Sequence, residues 1–255
     1  GNERGETMFQ IMTDSCCDLP AARLAELDVA YIPMLIELDG KEYIDDMGKE
    51  FDTEWFLGKL KEHAQPTTSQ INVGRYMEYF RPYVEAGTPV LYLGFSSGMS
   101  GSFQSAVQAV ALLKEEYKEV AITLIDTRSA SLGEGFLVAE AAQQKAQGRS
   151  LLEVSQWVEE NKLRLDSWVT VDDLKQLERG GRISKTAAAI GGLLNVKPII
   201  TVDTAGKLRS VDRVRGRNKA IQKIVDQTIA NLQKPIRFIL PMLAMPKRRR
   251  KSSNV

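Results

Sequence analysis

The sequence predicts an α/β protein: an N-terminal parallel sheet with helices on both faces, followed by a second α/β domain. Three observations predict it. Apolar, β-rich runs alternate with stretches of helical spacing through the first part of the chain. A loop of small residues, Gly94-Phe95-Ser96-Ser97-Gly98-Met99-Ser100-Gly101-Ser102, lies between an apolar run and an amphipathic one. Beyond Leu165 the alternation continues less regularly, which places a domain boundary there. Repeated strand–helix order is the pattern of an open parallel sheet, because each parallel connection needs a crossover.

The elements follow in order. Phe9–Thr13 reads as a strand, Asp14-Ser15 as a turn and Ala21–Glu26 as a helix. Ala30–Ile36 reads as a second strand, with Pro33 marking an edge. Asp39-Gly40 before Tyr43-Ile44 looks like a hairpin. Val73, Tyr76, Met77, Phe80, Tyr83 and Val84 have helical spacing, with Thr68 or Ser69 as the expected N-cap. Val90–Leu93 is a strand, and Phe103, Val107, Val110 and Leu113 mark the helix after the serine-rich loop. A strand at Val120–Ile125, a helix from Gly135 to Gln147 stopped by Gly148, and a helix over Leu151–Leu163 complete the first domain, taken as residues 8–164. In the second domain, taken as 165–234, Trp168–Val171 is a strand and Asp172–Leu177 is helical. Ala187–Leu194 is also read as helical. Ile199–Val202 and Ser210–Val214 pair across the Thr204-Ala205-Gly206 turn, and Ile221–Leu232 is a helix. Residues 235–255 form an atypical tail ending in a basic cluster, Lys247–Lys251.

Bulk composition removes several function classes. With 255 residues and 43% apolar content the chain builds a sizeable core. A net charge of +1 gives no global reason for nucleic acid as a partner. Apolar runs fall well short of the roughly 18 residues that span a bilayer. Cys16 and Cys17 are adjacent and read as free, packed thiols, so the expected compartment is the cytoplasm. One histidine, His63, and no spaced cysteine pair give no metal-ligand set.

The chemistry concentrates in the serine-rich loop. Four hydroxyls and three glycines between a strand and a helix gather N–H groups and the positive end of a helix dipole, which is an anion site. Pro66-Thr67-Thr68-Ser69-Gln70 is a second hydroxyl-rich segment opening a second helix. If the two converge at one sheet edge, Thr68 and Ser97 clamp a small anionic head without a formal positive charge. The competing reading is a serine hydrolase, because Gly94-Phe95-Ser96-Ser97-Gly98 fits the G-x-S-x-G nucleophile elbow. That reading needs a histidine later in the chain, and His63 comes before the serine. No lysine follows Gly101 to make a P-loop, and Gly133-Glu134-Gly135 lacks the third glycine of a dinucleotide fingerprint.

Taken together, the motifs resemble the DegV family of bacterial fatty-acid-binding proteins. The matching pieces are Thr13-Asp14-Ser15 with Asp18-Leu19-Pro20, Pro66–Gln70, and Ser96–Ala106. Asp126-Thr127 with Ala130-Ser131 and Gly133, Gly180-Gly181-Arg182-Ile183, Lys197-Pro198-Ile199 and Val214-Arg215 also match. The resemblance implies a two-domain fold that holds one long-chain, palmitate-like fatty acid between its domains. It implies ligand contacts from Thr68 and Ser97, with Thr67 and Ser96 beside them. Arg182, and Arg215 as its companion, would dock a fatty acid kinase catalytic protein. The chain itself would be no enzyme and use no cofactor or metal. The partner would make acyl phosphate for phospholipid synthesis, and transient contact with a membrane surface is compatible with that task. Departures from the family are Ile71 in place of a proline and Cys16-Cys17 in place of smaller residues. The family's late glycine-rich segment, whose histidine joins the carboxylate site, has no match after Leu232.

Overall fold

The computed structural model describes residues 8–62, 64, 66–165, 167–171, 174–184 and 196–231. Strands β1 (Gln10–Asp14), β2 (Val29–Ile32), β6 (Val90–Gly94) and β7 (Ile122–Asp126) form a parallel sheet in the order β2-β1-β6-β7. The register sets Ile11 opposite both Val29 and Leu91, and Tyr92 opposite Leu124. β6 is buried at every position, as a central parallel strand covered on both faces must be.

Alternate side chains of β1 and β6 feed two cores. Ile11, Leu91 and Leu93 pack with Leu24 of α1 (Ala21–Glu26), Leu137 and Val138 of α5 (Ser131–Ala146), and Val154 and Val158 of α6 (Leu151–Asn161). Met12, Val90 and Tyr92 pack on the other face with Tyr76 and Phe80 of α3 (Val73–Ala86) and Ala106, Ala109, Val110 and Leu113 of α4 (Ser102–Glu116). This is the period of two expected of strands and the 3–4 spacing expected of helices. Helix α6 begins in a capping box between Ser150 and Glu153, which satisfies end N–H groups from both directions. Because α1 follows β1 on one face and α4 follows β6 on the other, a crevice opens beyond the C-terminal ends of β1 and β6. In an open α/β sheet that crevice is where ligands bind.

A second, antiparallel sheet joins β4 (Lys41–Asp45), β3 (Met34–Leu38) and β5 (Thr67–Ser69), in that order. It corrects the single strand expected over Ala30–Ile36. Pro33 has no N–H for a ladder, so the chain breaks there: β2 stays in the parallel sheet and β3 starts the new one. The expected N-cap of α3 also shifts. Thr67–Ser69 is extended and paired with Leu35–Glu37, while Asn72 caps the helix by accepting from Arg75 N at 2.9 Å. Helix α2 (Thr53–Lys61), which the periodicity did not single out, lies between β4 and β5. Helix α5 begins at Ser131, four residues before the expected start.

After Leu165 a third sheet runs β10-β9-β8, with β8 (Trp168–Thr170), β9 (Val196–Val202) and β10 (Leu208–Arg215) all antiparallel. The expected β9–β10 pair forms, with a register shift between Ser210 and Asp212. The short helix α7 is Lys175–Arg179, and the start of the expected 172–177 helix, at 172 and 173, lies outside the described residues. Helix α8 (Arg217–Asn231) lays Ala220 and Ile224 on Ile199. The helix expected at Ala187–Leu194 and the tail at 235–255 lie outside the described residues.

Candidate functional site

The serine-rich loop emerges from the C-terminal end of β6, at the crevice between β1 and β6. Its base is fixed by Asp14, the last residue of β1. The fully buried Asp14 carboxylate accepts from Phe95 N at 2.8 Å, from the Tyr92 hydroxyl at 2.8 Å and from Cys16 N at 3.1 Å. The Tyr92 hydroxyl lies 2.7 Å from that of Tyr76. Behind Asp14 sits Glu134, also fully buried, with Thr13 Oγ1 3.4 Å from its Oε2. Burial raises the Asp14 carboxyl above its ordinary value. It raises Glu134 well above, and the neighbouring Asp14 charge raises it further. Burial beside Asp14 therefore favours the neutral form of Glu134. Glu134 Oε1 is buried and has no hydrogen-bond partner among the described residues.

Ser96 and Ser97 are adjacent but play different parts. The Ser96 side chain is fully buried, donates to Gly206 O at 2.7 Å and receives Gly98 N at 3.2 Å. Gly206 lies in the β9–β10 turn, so Ser96 ties the loop to the third sheet. The Ser96 hydroxyl thus points to the third sheet, whereas the sequence suggests it beside the ligand or, in the competing reading, as a nucleophile. Its proton is given to a backbone carbonyl, with no base beside it among the described residues. Ser97 is exposed. Its hydroxyl donates to Asp126, the last residue of β7, and its N–H donates to Asp126 Oδ1 at 3.2 Å. Asp126 Oδ1 also accepts from Arg128 N at 3.0 Å.

The second hydroxyl segment reaches the loop through its own end. Ile71 N donates to the buried Ser102 Oγ at 3.0 Å, and Ser102 Oγ lies 2.9 Å from Ser100 Oγ. Gln70 fills the space that a side chain at Gly101 would need. These contacts draw β5, with an exposed Thr68, toward the serine-rich loop. Thr67 begins the same strand, and its side chain lies outside the described set.

The β9–β10 turn closes over the loop from the other side. The Asp203 carboxylate folds this turn by accepting from Ala205 N and Lys207 N, each at 2.9 Å, and from Arg209 Nε at 2.6 Å. These donors, Lys207 N first, hold its carboxyl below the usual range. The turn then approaches so closely that a side chain at Gly98 would lie 2.5 Å from Ala205 O. One at Gly206, where φ is +76°, would lie 2.1 Å from Ser96 Oγ. Arg128 Nη1 donates to Thr204 O at 3.1 Å. Arg182 follows α7, is exposed, and donates through Nε to Met99 O at 3.1 Å and through Nη1 to Gly180 O. It braces the loop as well as facing solvent. Arg215 ends β10 and is exposed.

Sequence reading passed over Asp14, Glu134, Tyr92 and Asp126 as functional parts. The available signal is positional: Asp14 and Asp126 each close an apolar strand at the C-terminal edge of the parallel sheet. Among the described residues no cluster of His, Cys, Asp and Glu is arranged to hold a metal. No helix among them is long and apolar enough to cross a membrane.

Comparison with known proteins agrees with this architecture. A family model described as "Uncharacterised protein, DegV family" matches residues 8–240. A DegV domain-containing protein of Clostridium perfringens is 43% identical over 227 residues, covering 89% of this chain and 78% of the relative. One from Streptococcus pyogenes is 40% identical over 219 residues, covering 86% and 77%. Among solved structures, a stearic acid-binding protein from Eubacterium ventriosum superposes with a TM-score of 0.80 at 29% identity, covering 89% of this chain and 77% of the other. A DegV family protein from Thermus thermophilus, described by its fatty acid binding, superposes with a TM-score of 0.76 at 32% identity, covering 89% and 79%. With its motifs in order along the chain and its fold shared with these structures, the chain belongs to the DegV family.

Proposed function

We propose that this chain binds one long-chain fatty acid between the region up to Arg164 and the region from Leu165, and does not itself turn it over. Its head would lie at the serine-rich loop, held by Ser97 and by Thr68 from β5. The single observation that carries the reading is an exposed Ser97, bonded to Asp126 at the C-terminal end of β7, in the loop that Ser96 ties to the β9–β10 turn, in a fold whose solved relatives include fatty-acid binders. The chemistry divides cleanly between head and tail. A sixteen-carbon acid buries about 14 methylenes, at roughly 0.8 kcal/mol each, for a gross gain near ~11 kcal/mol. Ordering and association oppose a large part of it. The tail supplies affinity and the hydroxyls supply orientation.

We further propose that the exposed Arg182 and Arg215 receive a kinase partner, to which the bound acid is presented for acyl phosphate formation. Palmitate titration of the wild type and of a Thr68→Ala, Ser97→Ala double variant tests the head site. A loss of affinity of about 10-fold or more is expected, the scale of one or two hydrogen bonds to a charged or acidic head. Unchanged affinity removes both residues from it.

A further inference from the structure

Asp126 lies at the centre of a feature that the hydroxyl clamp leaves unexplained. A serine hydroxyl has one proton. Ser97 spends it on the Asp126 carboxylate, in a charge-assisted bond that Ser97 N and Arg128 N reinforce on the other oxygen. Ser97 therefore faces solvent as an acceptor. An ionised fatty carboxylate has no proton to give it. Such a head would also place a second carboxylate one hydroxyl away from the first.

Among the described residues, the neighbouring cations leave the Ser97–Asp126 bond in place. Lys162 Nζ, at the end of α6, is bonded to the Asp126 backbone oxygen at 2.9 Å and to Glu159 at 2.7 Å. Arg128 reaches away to Thr204 O, and Arg182 spends its guanidinium on Met99 O and Gly180 O. On the third sheet Arg209 is paired with Asp203. Each of these cations makes its hydrogen bonds or ion pairs to atoms other than the Asp126 carboxylate. Two like charges at this separation favour the neutral form of one of them.

We propose that Asp126 sets the head-group preference of the site: through Ser97 it selects a lipid head that donates a hydrogen bond, so that a fatty acid is held as the un-ionised carboxylic acid. The acid O–H donates to Ser97 Oγ, Ser97 O–H donates to Asp126, and the acid carbonyl accepts from Thr68. No proton leaves its heavy atom, and no co-reactant is needed. Asp126 is a positioning residue, since it touches the ligand only through Ser97. The inference rests on the fatty-acid reading and deepens it.

The test uses the full chain with [1-13C]palmitate at neutral pH. The carboxyl carbon of the bound acid should resonate at the un-ionised position in the wild type. In Asp126→Asn the side-chain amide donates to Ser97 Oγ, Ser97 becomes a donor, and the resonance should move to the ionised position. Competition gives a second readout. Hexadecanol, which donates but cannot ionise, should displace palmitate from the wild type. Its potency relative to palmitate should fall by about 10-fold in Asp126→Asn, the weight of one hydrogen bond. An ionised resonance in the wild type overturns the proposal while leaving fatty-acid binding intact. So does an unchanged hexadecanol-to-palmitate ratio in the variant. A wild type that binds no palmitate overturns both readings. If Asp126→Asn does not fold, the wild-type resonance decides alone.

Discussion

The parallel sheet and the β8–β10 sheet hold themselves together by different means. Among the described residues, fourteen buried residues pack on one face of the parallel sheet and twelve on the other. Among the described residues, the β8–β10 sheet has clusters of three buried residues on each face. The first region can lose a contact and remain a core. The second is joined to the first through the turn at Asp203–Lys207, which sits on the serine-rich loop. That contact couples the β8–β10 sheet to the serine-rich loop.

Core truncation should separate the two most widely. Leu91→Ala removes a fully buried side chain from the central strand and should cost about 3 kcal/mol in chemical denaturation. Ile200→Ala, in one of the three-residue clusters, should cost about 2 kcal/mol. Its effect should be local: faster hydrogen exchange in β9 and β10, with β1 and β6 unchanged. Equal acceleration in all four strands would merge the two regions into one cooperative unit.

The contact between them breaks next. Gly98→Val pushes a side chain into Ala205 O and the Gly206 backbone, which cannot give way as a flexible side chain would. A cost of about 2 kcal/mol is expected, with the Ser96–Gly206 bond lost and the β9–β10 turn opened to proteolysis. A protease-resistant turn in Gly98→Val would show that the glycine is needed only for the loop's own path.

A smaller, pH-dependent effect belongs to the first region alone. Glu134 is raised in the folded state by burial, with Asp14 adding to it. Its contribution to stability is therefore full below the unfolded value of about 4.3 and is lost as pH rises toward the folded one. The limiting slope is about 1.4 kcal/mol per pH unit. Asp14, also raised, adds in the same direction. Glu134→Gln should flatten the decline in melting temperature between pH 5 and pH 8. A variant whose profile overlays the wild type would place the proton elsewhere.

Much of this contrast is legible in the amino-acid sequence, for physical reasons. Val90–Leu93 is a continuous apolar run because both faces are covered, and the serines and glycines after it advertise the loop. Local patterns carry that information. They do not carry the change of sheets at Pro33, where one apolar run serves two ladders. Nor do they show that Thr67–Ser69 pairs with β3, since a hydroxyl-rich segment before a helix reads equally well as a cap. The different parts played by Ser96 and Ser97 are hidden for another reason. Ser96 meets Gly206, 110 residues later, and Ser97 meets Asp126. The acid pair Asp14–Glu134 is likewise separated along the chain by the other three strands of the parallel sheet and the helices between them. Partners of that kind exist only once the topology has brought the strand ends to one edge.

The central claim is that one fatty acid occupies the space between the two regions. Native mass spectrometry of the full chain tests it most directly. The account predicts a species heavier than the polypeptide by one long-chain fatty acid, or its appearance when palmitate is added, and its loss in the Thr68→Ala, Ser97→Ala double variant. A polypeptide that stays at its own mass with palmitate in excess would contradict the account.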